Sequence, residues 1–190
     1  LNIYSYQIQA ITPDGAGPTA TTDRLVMGPA LTVPYRCNFA TDDQFALWNV
    51  IDANNDKYTW KRETTLAAAY YYYNEDGETG GDDWLVSSPI HLEKDKIYRL
   101  KFKLQSYDVG YPEKVAVHLG TGASVAEQTT LLGDYEIESN TFVEYKVILP
   151  EKLESGNYHI SFHCHSEPYM FILYVTDVLL EEVREGVLSG

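Results

Sequence analysis

The stretch Ile97-Tyr98-Arg99-Leu100-Lys101-Phe102-Lys103-Leu104-Gln105-Ser106-Tyr107 alternates apolar and polar residues over most of its length. Successive side chains of an extended chain point to opposite sides, so Tyr98, Leu100, Phe102 and Leu104 share one face and Arg99, Lys101, Lys103 and Gln105 the other. A helix would scatter the same apolar residues around its circumference. The segment is therefore a strand with one dry and one wet face, the pattern of an antiparallel sheet that covers a core on one side only.

The same period recurs along the chain. Residues 157–165 put Tyr158, Ile160, Phe162 and Cys164 inward and His159, Ser161, His163 and His165 outward. Residues 114–119 align Val115, Val117 and Leu119, and residues 144–149 align Tyr145, Val147 and Leu149. The longest apolar stretch, residues 169–180, is interrupted by Thr176 and Asp177 and reads as a buried strand. Turn-forming clusters separate these runs: Pro13-Asp14-Gly15, Asn74-Glu75-Asp76-Gly77, Gly80-Gly81 and Ser155-Gly156-Asn157. One short helix is predicted over residues 42–48, with Thr41 as its N-cap. About ten short strands with few helices predict an all-β, two-sheet antiparallel sandwich of the jelly-roll kind.

Of the 190 residues, 44% are hydrophobic, enough for a packed core and too many for a disordered chain. There are 16 Tyr against 6 Phe. A Tyr can bury its ring while its hydroxyl reaches water, which suits strands with a wet face or a ligand surface. The formal net charge of −14 repels a phosphate backbone and an anionic membrane alike, and it favours calcium, which takes clustered oxygen ligands. Two cysteines, Cys37 and Cys164, make no disulfide framework and no C-x-x-C spacing. They are expected as two thiols in one core, a Cys37–Cys164 disulfide being the alternative. No run of about 18 apolar residues is present, so no membrane-inserted segment is expected.

The first 28 residues stand apart. Residues 4–10 alternate, a Pro/Gly loop follows, and residues 19–26 return. A lone hairpin is marginal in water, so this one should pair with further strands or pack on the main domain. Its sequence, Tyr4-Ser5-Tyr6-Gln7-Ile8-Gln9-Ala10 and then Asp14-Gly15-Ala16-Gly17, resembles the last two strands of a fibronectin type III domain. Gly28-Pro29-Ala30-Leu31 then reads as a linker.

From about Val33 to Val183 the chain resembles the cleaved-adhesin, or choice-of-anchor-J, family of jelly-roll domains found in bacterial surface proteins, including the adhesin regions of gingipains. Four segments carry the resemblance in order: Val33-Pro34-Tyr35 through Phe39; Trp48 through Asp52, Asn54, Asp56 and Trp60; Asp82-Asp83-Trp84-Leu85-Val86-Ser87-Ser88-Pro89-Ile90 with Leu92; and Gly156 to Ile160 with Tyr174-Val175-Thr176-Asp177-Val178. It implies a division into residues 1–28, a jelly-roll domain over 29–183, and a run-up to another repeat over 184–190. It also implies a non-catalytic adhesion or carbohydrate/protein-binding module of an exported, cell-surface or extracellular bacterial protein. The partners it implies are a glycan or a host or matrix protein, together with neighbouring domains of the same chain. Relatives often carry an acid where this chain has Ala40, and Asp-Asp where it has Thr176-Asp177; acids there are candidate calcium ligands.

Several constellations are candidates for a site. Asp52, Asn54, Asp56 and Glu63 fall at the spacing of the first, third, fifth and twelfth residues of a calcium loop. The sixth position is Lys57 rather than Gly and no helices flank the segment, so only a β-loop calcium site survives, with Asp177, Asp42 and Asp43 as further candidate ligands. The alternative is an acid-rich turn whose side chains bond their own backbone. His163-Cys164-His165 is not a metal site, because Cys164 faces away from both histidines; a solvated strand face is expected. Sugar rings stack on exposed aromatic faces, and Trp60, Tyr107 and Tyr111 are the candidate ligand residues, while Trp48 and Trp84 lie in strand-like segments and belong to the core. Half of the Tyr70-Tyr71-Tyr72-Tyr73 run must face out whatever its role. No hydrolase, zinc-protease or phosphate-loop motif occurs. A calcium-stiffened spacer and an accessory piece of a secreted protease or glycoside hydrolase are the competing roles.

Overall fold

The computed structural model describes residues 1–21, 25–73, 75 and 78–183. The expected turn at 74–77 and the run-up at 184–190 lie wholly or mostly outside the described residues. The N-terminal part forms β1 (Asn2–Tyr4), β2 (Gln7–Thr12), β3 (Gly15–Thr21) and β4 (Leu25–Met27). β1 pairs with β4 and β2 with β3, as one hairpin split by a break after Tyr4. Its apolar side chains lie largely open: Ile3, Tyr4, Tyr6, Ile8 and Ile11 are all exposed.

The rest of the chain is β5 (Tyr35–Cys37), a helix α1 (Asp42–Ala46), β6 (Asn49–Asp52), β7 (Lys61–Glu63), β8 (Ala68–Tyr72), β9 (Asp83–Val86), β10 (Ile90–Leu92), β11 (Ile97–Ser106), β12 (Glu113–Gly120), β13 (Thr130–Ile137), β14 (Val143–Ile148), β15 (Gly156–Cys164) and β16 (Ile172–Val183). Thr41 caps the helix as expected, its Oγ1 accepting the Gln44 N–H at 3.2 Å. The strands form two antiparallel sheets. One runs β13-β12-β15-β9-β6, with β10 also on β15; the other runs β14-β11-β16-β8-β7, with β5 also on β16. The chain crosses repeatedly from one sheet to the other. That is the two-sheet jelly-roll sandwich.

Alternation in β11 is realised in full: Tyr98, Leu100, Phe102 and Leu104 are at most 2% exposed. Across the interface they meet Ile160, Phe162, Val115, Val117 and Leu85, and the Phe102 and Phe162 rings touch edge-on at 5.3 Å. Trp48 lies 6.0 Å from Phe162, in the core as expected. Cys37 and Cys164 are buried free thiols. The histidine face of β15 is less wet than its sequence suggests, because His159 and Ser161 are themselves buried and His159 Nδ1 contacts the Ser87 carbonyl at 2.6 Å.

Strand pairing decides what comes together at the ends. Asp52 is opposite Asp83, Asp83 opposite Cys164, Ser106 opposite Leu173, and Tyr72 opposite Ile172. Four connections, residues 53–60, 73–82, 107–112 and 165–171, therefore gather at one end of the sandwich.

Candidate functional site

That end carries a cluster of aromatic rings. Phe171 is its hub, with Tyr107 edge-on at 4.6 Å, Tyr72 at 5.6 Å, Tyr73 at 5.8 Å and Tyr111 at 6.1 Å. Tyr107 is 53% exposed, Tyr111 47% and Tyr169, two residues before the hub, 57%. Backbone bonds fix the arrangement: the Tyr73 N–H donates to the Phe171 carbonyl at 3.1 Å and the Tyr107 N–H to the Ile172 carbonyl at 2.9 Å. The rings continue over the outer face of the second sheet, where Tyr174 on β16 meets Tyr70 on β8 at 6.3 Å and Phe142 at 6.5 Å. The surface then turns polar. A groove of about 540 Å³ follows β11 and β16, lined by Lys101, Lys103, Arg36, Glu144 and Asp177 among others. The exposed rings of Tyr107 and Tyr111 offer faces for stacking, and the groove on the outer face of the second sheet holds paired donors and acceptors.

Tyr107 and Tyr111 thus lie together on the surface. Trp60 does not join them. It is 2% exposed, its ring packs against Tyr71 at 6.3 Å, and its indole N–H donates to the Asp83 carbonyl at 3.0 Å. It is a core residue that closes the sandwich end from below, so it presents no ring face to a ligand.

The loop 52–58 uses its side-chain oxygens on its own backbone. Asp52 Oδ1 and Asn54 Oδ1 both accept the Asp56 N–H at 3.2 Å, Asp52 Oδ2 accepts the Lys57 N–H at 2.8 Å, and Asp56 Oδ1 accepts the Tyr58 N–H at 2.9 Å. Asn55 and Lys57 hold positive φ there. Asp177 belongs to the other sheet, where it faces outward and pairs with Lys103 at 2.8 Å, and Asp42 pairs with Arg62 at 2.6 Å. Thr176 turns its hydroxyl toward the Asn38 carbonyl at 3.1 Å and the Ala67 carbonyl at 2.6 Å. Among the described residues no three His, Cys, Asp or Glu side chains converge as a metal-binding group. His163 and His165 instead pair separately with Asp82 and Asp134, each at 2.8 Å, and His163 stacks on Trp84 at 4.0 Å.

Beneath the aromatic cluster lie two buried acids. Asp83 and Glu113 are both 0% exposed, and each has one carboxyl oxygen without a hydrogen-bond partner. Burial pushes both up to about 7. Sequence patterning gave no sign of Glu113 or of Phe171. Glu113 sits at a strand start among loop residues, and Phe171 belongs to an apolar run that reads as one strand, whereas the strand begins only at Ile172 and Tyr169 lies in the open.

No family model matches the chain, and no curated protein matches it. Solved structures do. The K1 cleaved adhesin domain of Lys-gingipain from Porphyromonas gingivalis W83 superposes with a TM-score of 0.64 at 19% identity, covering 80% of this chain and 99% of that one. A carbohydrate-binding module named BiXyn10A CBM1 gives a TM-score of 0.58 at 12% identity, over 80% of this chain and 99% of that one. The CBM22-2 xylan-binding domain of Paenibacillus barcinonensis Xyn10C gives 0.53 at 9% identity, over 78% and 99%. Two six-stranded antiparallel sheets, the order of their strands and these superpositions together identify the fold as the jelly-roll β-sandwich shared by cleaved adhesin domains and carbohydrate-binding modules.

Proposed function

We propose that this domain is a non-catalytic glycan-binding module of an exported protein, and that it binds through the aromatic strip centred on Phe171. The single observation that carries the reading is the contiguity of Tyr107, Tyr111 and Phe171 on two gathered loops with Tyr72 at the end of β8, Tyr107 and Tyr111 being about half exposed. Exposed, mutually braced rings lose little conformational entropy when a sugar face stacks on them. The neighbouring groove supplies donors and acceptors for hydroxyls. The structural likeness to carbohydrate-binding modules, one of them xylan-binding, supports a sugar as partner, and the likeness to adhesin domains is compatible with it. Array screening of plant and host glycans, with xylo-oligosaccharides included, tests it. Binding by the native chain and an approximately tenfold loss in Tyr107→Ala are expected, about 1.4 kcal/mol. Binding that survives Tyr107→Ala and Tyr111→Ala together would place the contact elsewhere.

A further inference from the structure

We infer that Glu113 is a positioning residue for the aromatic platform: a buried carboxyl that latches the 165–171 loop while it carries its proton and loosens it on ionising. The inference rests on the platform being the binding surface. Glu113 opens β12 on the inner face of its sheet and is fully buried. The Ser166 hydroxyl donates to its Oε2, and the Phe171 amide is the other group that favours its charge. The hydroxyl bond ties the carboxyl to the start of the loop that bears Tyr169 and Phe171. Ser166 extends the tie, because its Oγ accepts the Lys114 N–H at 2.9 Å and its carbonyl accepts the Gly81 N–H at 2.9 Å. Gly81 is needed at that crossing, since a Cβ there would lie 3.0 Å from Cys164 Sγ.

Nothing around Glu113 compensates a negative charge. Its titratable neighbours are Tyr71 from the facing sheet and Cys164 from β15, and Asp83 flanks the same two groups. Lys114, next in sequence, is drawn away to Glu167 at 2.8 Å, and His165 is held by Asp134. A carboxylate buried with one hydroxyl donor and an orphaned Oε1 costs more than the neutral acid in the same place. Opening the loop admits water and relieves that cost. The closed platform therefore belongs to the protonated state, and a rise in pH through about 7 shifts the balance toward the open one.

Three amides report the latch directly, because Tyr73, Gly81 and Tyr107 donate to the carbonyls of Phe171, Ser166 and Ile172. Amide hydrogen exchange on the full chain at pH 6 and pH 8, corrected for the intrinsic rate, should show their protection falling roughly tenfold while amides in the middle of β11 hold theirs. In Glu113→Gln the fall should vanish. Ser166→Ala, which removes a bond favouring the charged form, should move the midpoint upward and keeps the test open if the Gln variant does not fold. Equal protection at both pH values in the native chain, or the same fall in Glu113→Gln, would overturn the latch. No glycan enters this experiment, so its failure is separate from a failure of the binding reading.

Discussion

Trp60 gives its indole N–H to the Asp83 carbonyl and its ring to Tyr71, and this places one of the domain's three buried tryptophans under the functional end. Trp60→Ala should lower unfolding stability by about 3–5 kcal/mol in chemical denaturation, because it leaves a cavity the two sheets cannot collapse into. Nothing in its neighbourhood reveals this in the sequence: Thr59 and Lys61 flank it with polar groups and no period runs through residues 53–60. Tyr107, by contrast, falls in the loop just beyond a strand that alternates over most of its length, so its exposure is legible. Asp83 and Glu113 set a pH dependence at the same scale. Both keep their proton in the folded chain up to about pH 7, whereas their ordinary values are 3.8 and 4.5. Between those limits the folded chain binds more protons than the unfolded one, so stability is greatest at the acidic end and is lost as pH rises toward 7. Thermal unfolding from pH 5 to pH 8 should show the midpoint fall by several degrees, and Asp83→Asn should flatten part of that slope.

Among the elements, β16 shows both the reach and the limit of pattern reading. Its register on β11 slips between Lys101 and Lys103, opposite Thr176 to Leu179, and Asp177 takes a φ of 50° at the irregularity. The sequence marks the place, because two polar residues interrupt an apolar run there. What it cannot mark is the use made of Thr176, whose hydroxyl bridges toward carbonyls 138 and 109 residues away. Thr176→Val keeps the shape and removes the donor, and it should cost about 0.5–1.5 kcal/mol by removing a part-buried hydrogen bond. With Asp177 on Lys103 and the 52–58 loop closed on itself, calcium and chelator should leave the unfolding midpoint nearly unchanged. A rise of several degrees with calcium would instead show that the Asp52–Asp56 loop opens to take the ion.

For the molecule as a whole, strand period and turn chemistry were enough to make the sandwich legible, since one-sided burial enforces a period of two along every long strand. The site was legible only in part. Tyr107 and Tyr111 can be read as exposed, but the hub that unites them is assembled from residues some sixty positions and more apart by pairing between β8, β11 and β16. The net charge of −14 is spread over a surface whose second sheet carries paired bases and acids beside the rings. Isothermal titration of the native domain and of Phe171→Ala with the best-binding glycan from the array tests the central claim most directly. Saturable binding by the native chain, reduced at least tenfold in a Phe171→Ala variant that keeps its cooperative unfolding, is the predicted result. Equal affinity of the two folded proteins would contradict it.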